Sequence, residues 1–198
     1  MTPQVPIPNP NVPLAVLLCC AAYTDNPDQQ TNGEYNIETA VAAIHTNYYP
    51  LCKVVWSSDQ TADGNYAYIA VTPKNEYFLA IRGSLPFEVN GQFVYSWPIF
   101  YNWFEEDFNV FNQKKWQYSS TDGAYISDGS CTAFSNLLGA TDIMGSGQTA
   151  AAYLMMNAVL VGHPVYITGH SLGVYASPNR APVVSRERCN FHYLTTEK

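Results

Sequence analysis

The sequence predicts an α/β fold in which helices lie on both faces of a mostly parallel central sheet. One observation is a helical segment over residues 148–161 that leads into the strand Val165–Thr168 and then into the turn 169–173. A second is a pair of β-rich segments, residues 66–71 and 77–81, in the first half of the chain. A helix that delivers a strand into a sharp turn is typical of a parallel sheet covered by helices.

The first elements are predicted to be helical. Residues 1–13 form a proline-rich lead, and the uncharged stretch 14–23 is interpreted as a core helix. Asn36 can cap a second helix that runs from Ile37 to about Asn47, because its apolar residues share one face and Glu38 lies near the positive end of the dipole. These two helices are expected to pack on the sheet.

Three strands and one further helix are predicted next. Residues 52–56, 66–71 and 77–81 are rich in β-branched and aromatic residues. The segment 72–75, Thr-Pro-Lys-Asn, turns the last two strands into a hairpin. The helix 148–161 is apolar nearly all round and ends before a proline that forbids its continuation.

The turn after the last strand has the G-x-S-x-G spacing of a nucleophile elbow. Gly169 and Gly173 give the turn the clearance that a side chain would obstruct, so Ser171 can stand exposed to a base. The residue after the serine opens a helix, and the backbone N–H of Leu172 therefore points toward a developing oxyanion. Ser171 is the candidate nucleophile, and an ordinary loop is the alternative.

Four segments together resemble the class 3 lipases, the fungal-lipase-like branch of the α/β hydrolases. They are the elbow 168–173 (Thr-Gly-His-Ser-Leu-Gly), the hairpin 66–84 ending in Arg-Gly-Ser, the Asn-Trp-x-x-x-Asp stretch 102–107 and the helix 14–23. The resemblance implies an α/β-hydrolase fold and a serine acyl-enzyme. It also implies that Ser84 is the second donor of the oxyanion hole, beside the N–H of Leu172.

An aromatic segment without Lys or Arg follows Ser84. In the resembled family a mobile lid lies in this neighbourhood, which would make this segment a lid or acyl pocket. The alternative is that the rings fill the core of the sheet. The candidate residues for the lid or acyl pocket are Phe93, Tyr95, Trp97 and Phe100.

The sequence departs from the family pattern after the elbow. Residues 14–173 are interpreted as the amino-terminal part of the hydrolase domain and residues 174–198 as a divergent, disordered tail, with the carboxy-terminal strands missing. Pro178 should stop the helix that follows the elbow. No aspartate follows Ser171 and His192 is the one histidine after it, so a triad base from His192 would need an unusual arrangement. We expect that the tail is read-through of an unspliced intron or of a shifted frame.

Composition limits the partners and cofactors. The net charge of −7, with five Lys and Arg against fourteen acidic residues up to residue 173, argues against a nucleic-acid surface and against docking on anionic lipids. The five cysteines form no C-x-x-C pair, and neither a metal site nor a cofactor is predicted. The apolar stretch 12–22 follows no Lys or Arg and is too short to span a bilayer, which favours the cytoplasm over secretion.

The predicted function is a lipase or carboxylic-ester hydrolase of the class 3 type, acting on lipid or small esters with transient contact to a lipid interface. Loss of the triad Asp and His would impair it. A non-catalytic lipid-binding pseudoenzyme or an inactive fragment is the alternative. An acyltransferase on the same scaffold would use the same acyl-enzyme.

Overall fold

A computed structural model of the chain describes residues 11–24, 37–46, 49–59, 64–83, 88–89, 92–93, 112–118 and 124–169. Within these residues, four strands form the central sheet, and two pairs of short strands and four helices accompany it. The strands are β1 (Lys53–Ser57), β2 (Ala67–Val71), β3 (Tyr77–Ile81), β4 (Glu88–Val89), β5 (Gln92–Phe93), β6 (Gln113–Lys115), β7 (Tyr125–Ser127) and β8 (Val165–Gly169). The helices are α1 (Asn11–Ala21), α2 (Ile37–Ala43), α3 (Asp128–Gly139) and α4 (Ala150–Leu154), which continues as a π-helical turn, Met155–Val159.

The central sheet has the strand order β1-β2-β3-β8. The pairs β1–β2 and β2–β3 are antiparallel, and β3–β8 is parallel. The described sheet is therefore mixed, where the sequence predicted a mostly parallel one. The reason is local: the predicted hairpin turn forms, with Asn75 at a φ of 59° and the Thr72 N–H donating to the Glu76 carbonyl, and such a short connection can join only antiparallel strands.

The four strands of the central sheet were predicted to within about one residue at each end. Their side chains alternate between the two faces and divide the core into two clusters. Tyr68 and Ala70 of β2 face one cluster of buried residues, while Ala67 and Ile69 face the other. A β-bulge in β1 between Val54 and Trp56 shifts the register there. Both faces of the sheet are thus apolar, as expected of a sheet covered by helices on each side.

Helices α1 and α2 cover the first face. Leu14 and Leu18 of α1 and Val41 of α2 are buried in its cluster. Helix α1 begins at Asn11, inside the predicted lead, because a proline at position 13 lies in the first turn, where its missing N–H costs no hydrogen bond. Helix α2 ends earlier than predicted, since the amides of residues 44 and 45 bond to carbonyls three residues back and tighten the last turn.

Helices α3 and α4 cover the second face. Phe134 of α3 and Leu154 of α4 pack with Trp56 and Ile81 of the sheet. Helix α4 begins two residues later than predicted, at the cap Thr149, whose side chain accepts from the Ala152 N–H. Helices therefore lie on both faces, as predicted.

Helix α3 and the small sheets β4–β5 and β6–β7 were not predicted. The signal for α3 was the sequence Ser127-Asp128, a capping residue followed by an acid in the first turn. Ser127 accepts from the Ser130 N–H at 3.2 Å, and Lys114 of β6 forms an ion pair with Asp128. The start of α3 is polar and follows β7 directly, so the hydrophobic period is confined to the second half of the helix.

Candidate active site

The carboxyl ends of β3 and β8 lie side by side. Ile81, the last residue of β3, pairs in parallel register with Gly169, the last residue of β8. In the sequence Ser84 follows Ile81 by three residues, and Ser171 follows Gly169 by two. The chain therefore leaves β3 toward Ser84 and leaves β8 toward Ser171 at neighbouring points, at the carboxyl ends of the two strands.

Most of the predicted site residues lie outside the residues that the structure describes. Ser84, Ser171 and Leu172 lie outside the described residues, as do the histidine and three of the aromatic residues, namely His192, Tyr95, Trp97 and Phe100. Phe93 is the last residue of β5, of which only the backbone is described. The structure describes the chain up to Gly83 and up to Gly169, which precede Ser84 and Ser171 in the sequence.

Arg82 holds the chain as it leaves β3. Its side chain is buried, its Nη2 donates to the Gly64 carbonyl at 2.7 Å, and its guanidinium carbon lies 5.1 Å from the centre of the Tyr66 ring. Its backbone N–H donates to the Tyr66 carbonyl at 2.9 Å. A buried guanidinium with a charge-assisted hydrogen bond and a cation–π contact fixes the residue two positions before Ser84.

Tyr66 links Arg82 to Ser57 of β1. Its hydroxyl and the Ser57 Oγ are 2.9 Å apart, and both residues are buried. The Ser57 N–H in turn donates to Oδ1 of Asp142 at 3.0 Å. A set of contacts therefore runs from Arg82 through Tyr66, just before β2, and Ser57 of β1 to the loop before α4.

Tyr23, just after α1, approaches the same turn from the first face. Burial raises the pKa of its phenol above the ordinary value and the nearby Cys19 adds to the rise, while a hydrogen bond with the backbone of Gly83 and the Arg82 cation oppose it. The phenol is thus neutral at physiological pH and lies against the residue that immediately precedes Ser84. Tyr23 thus contacts the backbone of Gly83, and Arg82 anchors the residue before it.

Asp142 organises the loop that leads into α4. Its carboxylate accepts from the backbone N–H groups of Ser57, Met144 and Ser146 at 2.8 to 3.0 Å. Desolvation raises the pKa of Asp142, but hydrogen bonds from Ser146, Ser57 and Met144 together outweigh it and hold the pKa below its ordinary value. These bonds occupy the carboxylate, so Asp142 has a structural role.

The indole of Trp56 ties the same loop to the sheet. Its Nε1 donates to the Gln148 carbonyl at 2.8 Å, two residues before α4 begins. On the other side of the sheet, the Thr168 hydroxyl donates to the Ala15 carbonyl of α1 at 3.2 Å. On one face of the sheet, α1 holds β8 directly through the bond between Thr168 and Ala15. On the other face, Trp56 anchors the loop that leads into α4, the helix before β8.

Sequence reasoning assigned no role to Arg82, Tyr23 or Asp142. One signal was available for Arg82, because an arginine that directly follows the apolar strand 77–81 must be paired if it is buried. The contact of Tyr23 with the Gly83 turn joins residues sixty positions apart, which no local pattern reports. Asp142 lies in a glycine-containing loop, where an acid is ordinarily exposed.

Three further features concern only the part of the chain that the structure describes. None of its helices is both long and apolar enough to cross a membrane. It contains no group of three or more His, Cys, Asp or Glu side chains that could hold a metal ion. Four of its cysteines are free thiols, of which Cys19 and Cys52 are buried.

No family model matches the chain, and no curated protein is similar to it. Solved structures are similar. The crystal structure of M37 lipase superposes with a TM-score of 0.58 at 20% sequence identity, over 81% of this chain and 49% of that one. Lip2 lipase from Yarrowia lipolytica gives 0.47 at 14% identity, over 83% of this chain and 50% of that one. A deletion mutant of Rhizomucor miehei lipase in complex with its propeptide superposes with a TM-score of 0.40 at 14% sequence identity, over 63% of this chain and 32% of that one.

The chain spans about half the length of M37 lipase. At 20% identity the likeness concerns the fold, and it agrees with the sheet described above, which carries helices on both faces and ends with a helix that delivers a parallel strand. The chain has a fold similar to that of M37 lipase.

Proposed function

We propose that the chain carries the nucleophile and the oxyanion hole of a serine ester hydrolase that acts on lipid or small carboxylic esters. The observation that carries this proposal is the pairing of Ile81 with Gly169. It brings the segments leading to Ser84 and Ser171 to one edge of the sheet, where an α/β sheet binds its ligands. The likeness of the fold to M37 lipase supports the same reading.

In the proposed reaction the Ser171 Oγ attacks the ester carbonyl and loses its proton to a base. The carbonyl oxygen becomes an oxyanion that accepts hydrogen bonds from Ser84 and from the Leu172 N–H. The alcohol leaves, and water then releases the acid from the acyl-serine. Arg82 and Tyr23 contribute by holding the Gly83 turn, so that the Ser84 donor need not reorganise as charge develops.

The reaction also needs a base. His192 is the one histidine after Ser171 in the sequence, and no aspartate follows Ser171. We therefore propose that hydrolysis by this chain is impaired by several orders of magnitude relative to an enzyme with a full triad. A second candidate for these 198 residues by themselves is a lipid-binding role without catalysis.

Reaction with an alkyl phosphonate that labels activated serines distinguishes the two candidates. Ser171→Ala and His192→Ala are the matched variants. Labelling of the wild type at Ser171 that His192→Ala abolishes would support a hydrolase whose base is His192. A folded wild type that takes no label but binds a fluorescent fatty acid would support the lipid-binding candidate, and labelling that persists in Ser171→Ala would contradict the assignment of the nucleophile.

The proposed acyl pocket has its own test. Trp97→Ala should lower activity or binding on emulsified lipid while leaving reaction with a short soluble ester unchanged, because only the lipid needs a large apolar contact. Equal loss on both substrates would mean that Trp97 fills the core.

A further inference from the structure

The outward side of α4 and its π-helical turn is unusually apolar. The ten residues Ala150–Val159 extend for about 15 Å. Leu154 and Ala158 face the sheet and are buried. Five large apolar side chains on or just after the helix are exposed instead: Met155 (48%), Met156 (60%), Val159 (44%), Leu160 (69%) and Val161 (59%). A helix of this kind ordinarily turns charged residues to solvent.

This surface carries no charge. From Ile143 to Gly169 the sequence contains no Asp, Glu, Lys or Arg, although the whole chain has 25 such residues, nine basic and sixteen acidic. Methionine-rich surface with few charged residues is typical of the centre of a protein interface, because the flexible thioether adapts to a facing surface. The outer face of α4, defined here as residues 151, 152, 155, 156 and 159–161, is therefore expected to be covered by protein.

We infer that this outer face pairs with the same face of a second copy of the chain, across a two-fold axis. Two copies that each carry a net charge of −7 repel wherever acidic surfaces meet. In a two-fold contact a charge near the axis faces its own equivalent, so an uncharged face is a surface through which this acidic chain can self-associate without repulsion.

The spacing along the helix suits packing against a like helix. Ala152, Met155, Met156 and Val159 recur at i, i+3, i+4 and i+7 and form one stripe. Ala151 and Ala152 are exposed and small, which allows the backbones to approach at that end. An antiparallel pair of α4 helices centred between residues 155 and 156 would then place the alanines of one copy against Val159 and Leu160 of the other, and would bring the methionines of the two copies together.

A lipid surface is a poorer occupant. Helices that lie on membranes combine Trp, Phe or Leu on the apolar side with Lys or Arg beside it, and residues 143–169 contain neither a basic residue nor Trp or Phe. The face also lies away from the candidate site, because the π-helical turn connects to the amino end of β8 and Gly169 lies at its carboxyl end. The inference therefore does not rest on the proposed function.

Sedimentation velocity of the wild type over a wide range of concentrations tests the inference. One helix face is smaller than the roughly 800 Å² per partner of a standard interface, so we expect a dimer that dissociates on dilution, in the micromolar range. Met156→Glu and Leu160→Glu should each weaken dimerisation at least tenfold. Leu51→Glu, at a position 53% exposed that precedes β1, is the matched control and should leave it unchanged.

Mixing two charged variants identifies the partner face. Met156→Glu and Met156→Lys should each be monomeric, and an equimolar mixture should recover a dimer, because only a two-fold contact brings the two positions 156 together. A wild type that stays monomeric at every concentration would overturn the inference. So would a dimer that both variants leave intact, or binding to neutral phosphatidylcholine vesicles that Leu160→Glu abolishes in a monomeric protein.

Discussion

Ile81 of β3 and Gly169 of β8 are partners in a parallel pair, and each is the last residue of its strand. Residues 81 and 169 are far apart in the chain, yet the sheet brings the two strand ends together at one edge. Everything proposed about catalysis depends on this pairing, because Ser84 and Ser171 follow within three residues. The predictions below concern the contacts that support this edge.

Replacing Arg82 should destabilise the protein. Arg82→Met removes the charge-assisted bond to the Gly64 carbonyl and the contact with the Tyr66 ring, so we expect the free energy of unfolding to fall by about 2–3 kcal/mol. Arg82→Lys should cost less, because it keeps the cation. Urea unfolding followed by tryptophan fluorescence measures both, with Lys74→Met in the exposed hairpin turn as the control. A loss no larger than that of the control would show that the guanidinium contacts contribute little.

Asp142 should make stability depend on pH. Because its pKa is lowered in the folded protein, the carboxylate stabilises the fold above the pKa of the unfolded chain. This contribution is lost as the pH falls through the lower, folded pKa. Asp142→Asn should cost about 1–2 kcal/mol near neutral pH, since an amide accepts fewer of the three backbone bonds.

Unfolding at a series of pH values measures this effect. The difference between wild type and Asp142→Asn should be largest near neutral pH and should shrink toward zero in acid. A difference that is constant with pH would mean that the charge of Asp142 does not contribute.

Two glycines should respond in opposite ways to alanine. Gly162, just after the π-helical turn, has a φ of 78°, so Gly162→Ala should cost about 1 kcal/mol although nothing crowds the position. Gly139, the last residue of α3, has equal space and no positive φ, so Gly139→Ala should stabilise by up to about 1 kcal/mol. Melting temperatures of the pair test this, and a shift of the same sign in both variants would contradict it.

Tyr23 should affect the candidate site more than the stability. Tyr23→Phe keeps the ring and removes the hydroxyl that contacts the Gly83 backbone. We therefore expect the free energy of unfolding to fall by about 1 kcal/mol. If the chain reacts with the phosphonate, Tyr23→Phe should slow labelling of Ser171, because the turn before Ser84 is held less firmly. Tyr125→Phe, at an exposed position on β7, is the control for both readouts. An unchanged labelling rate would confine Tyr23 to packing.

The strands were predictable because their signals are local. Residues 77–81 alternate between the two clusters and directly follow a turn in which Asn75 accepts a positive φ. The end of the helix before β8 was predictable for the same reason, since Gly162 and Pro164 stop it. The missed helix α3 begins in a polar segment whose capping signal, Ser127, is only one residue long.

The sequence by itself determined the four central strands and the hairpin, because φ preferences and hydrophobic period act between neighbours along the chain. Only the tertiary structure decided that β3 pairs in parallel with β8, that Arg82 is buried against Tyr66, and that Tyr23 reaches the backbone of Gly83. Those contacts join residues distant in sequence, and their energies exist only once the sheet has formed. The same holds for the apolar outer face of α4: its composition is visible in the sequence, but its exposure is a property of the fold.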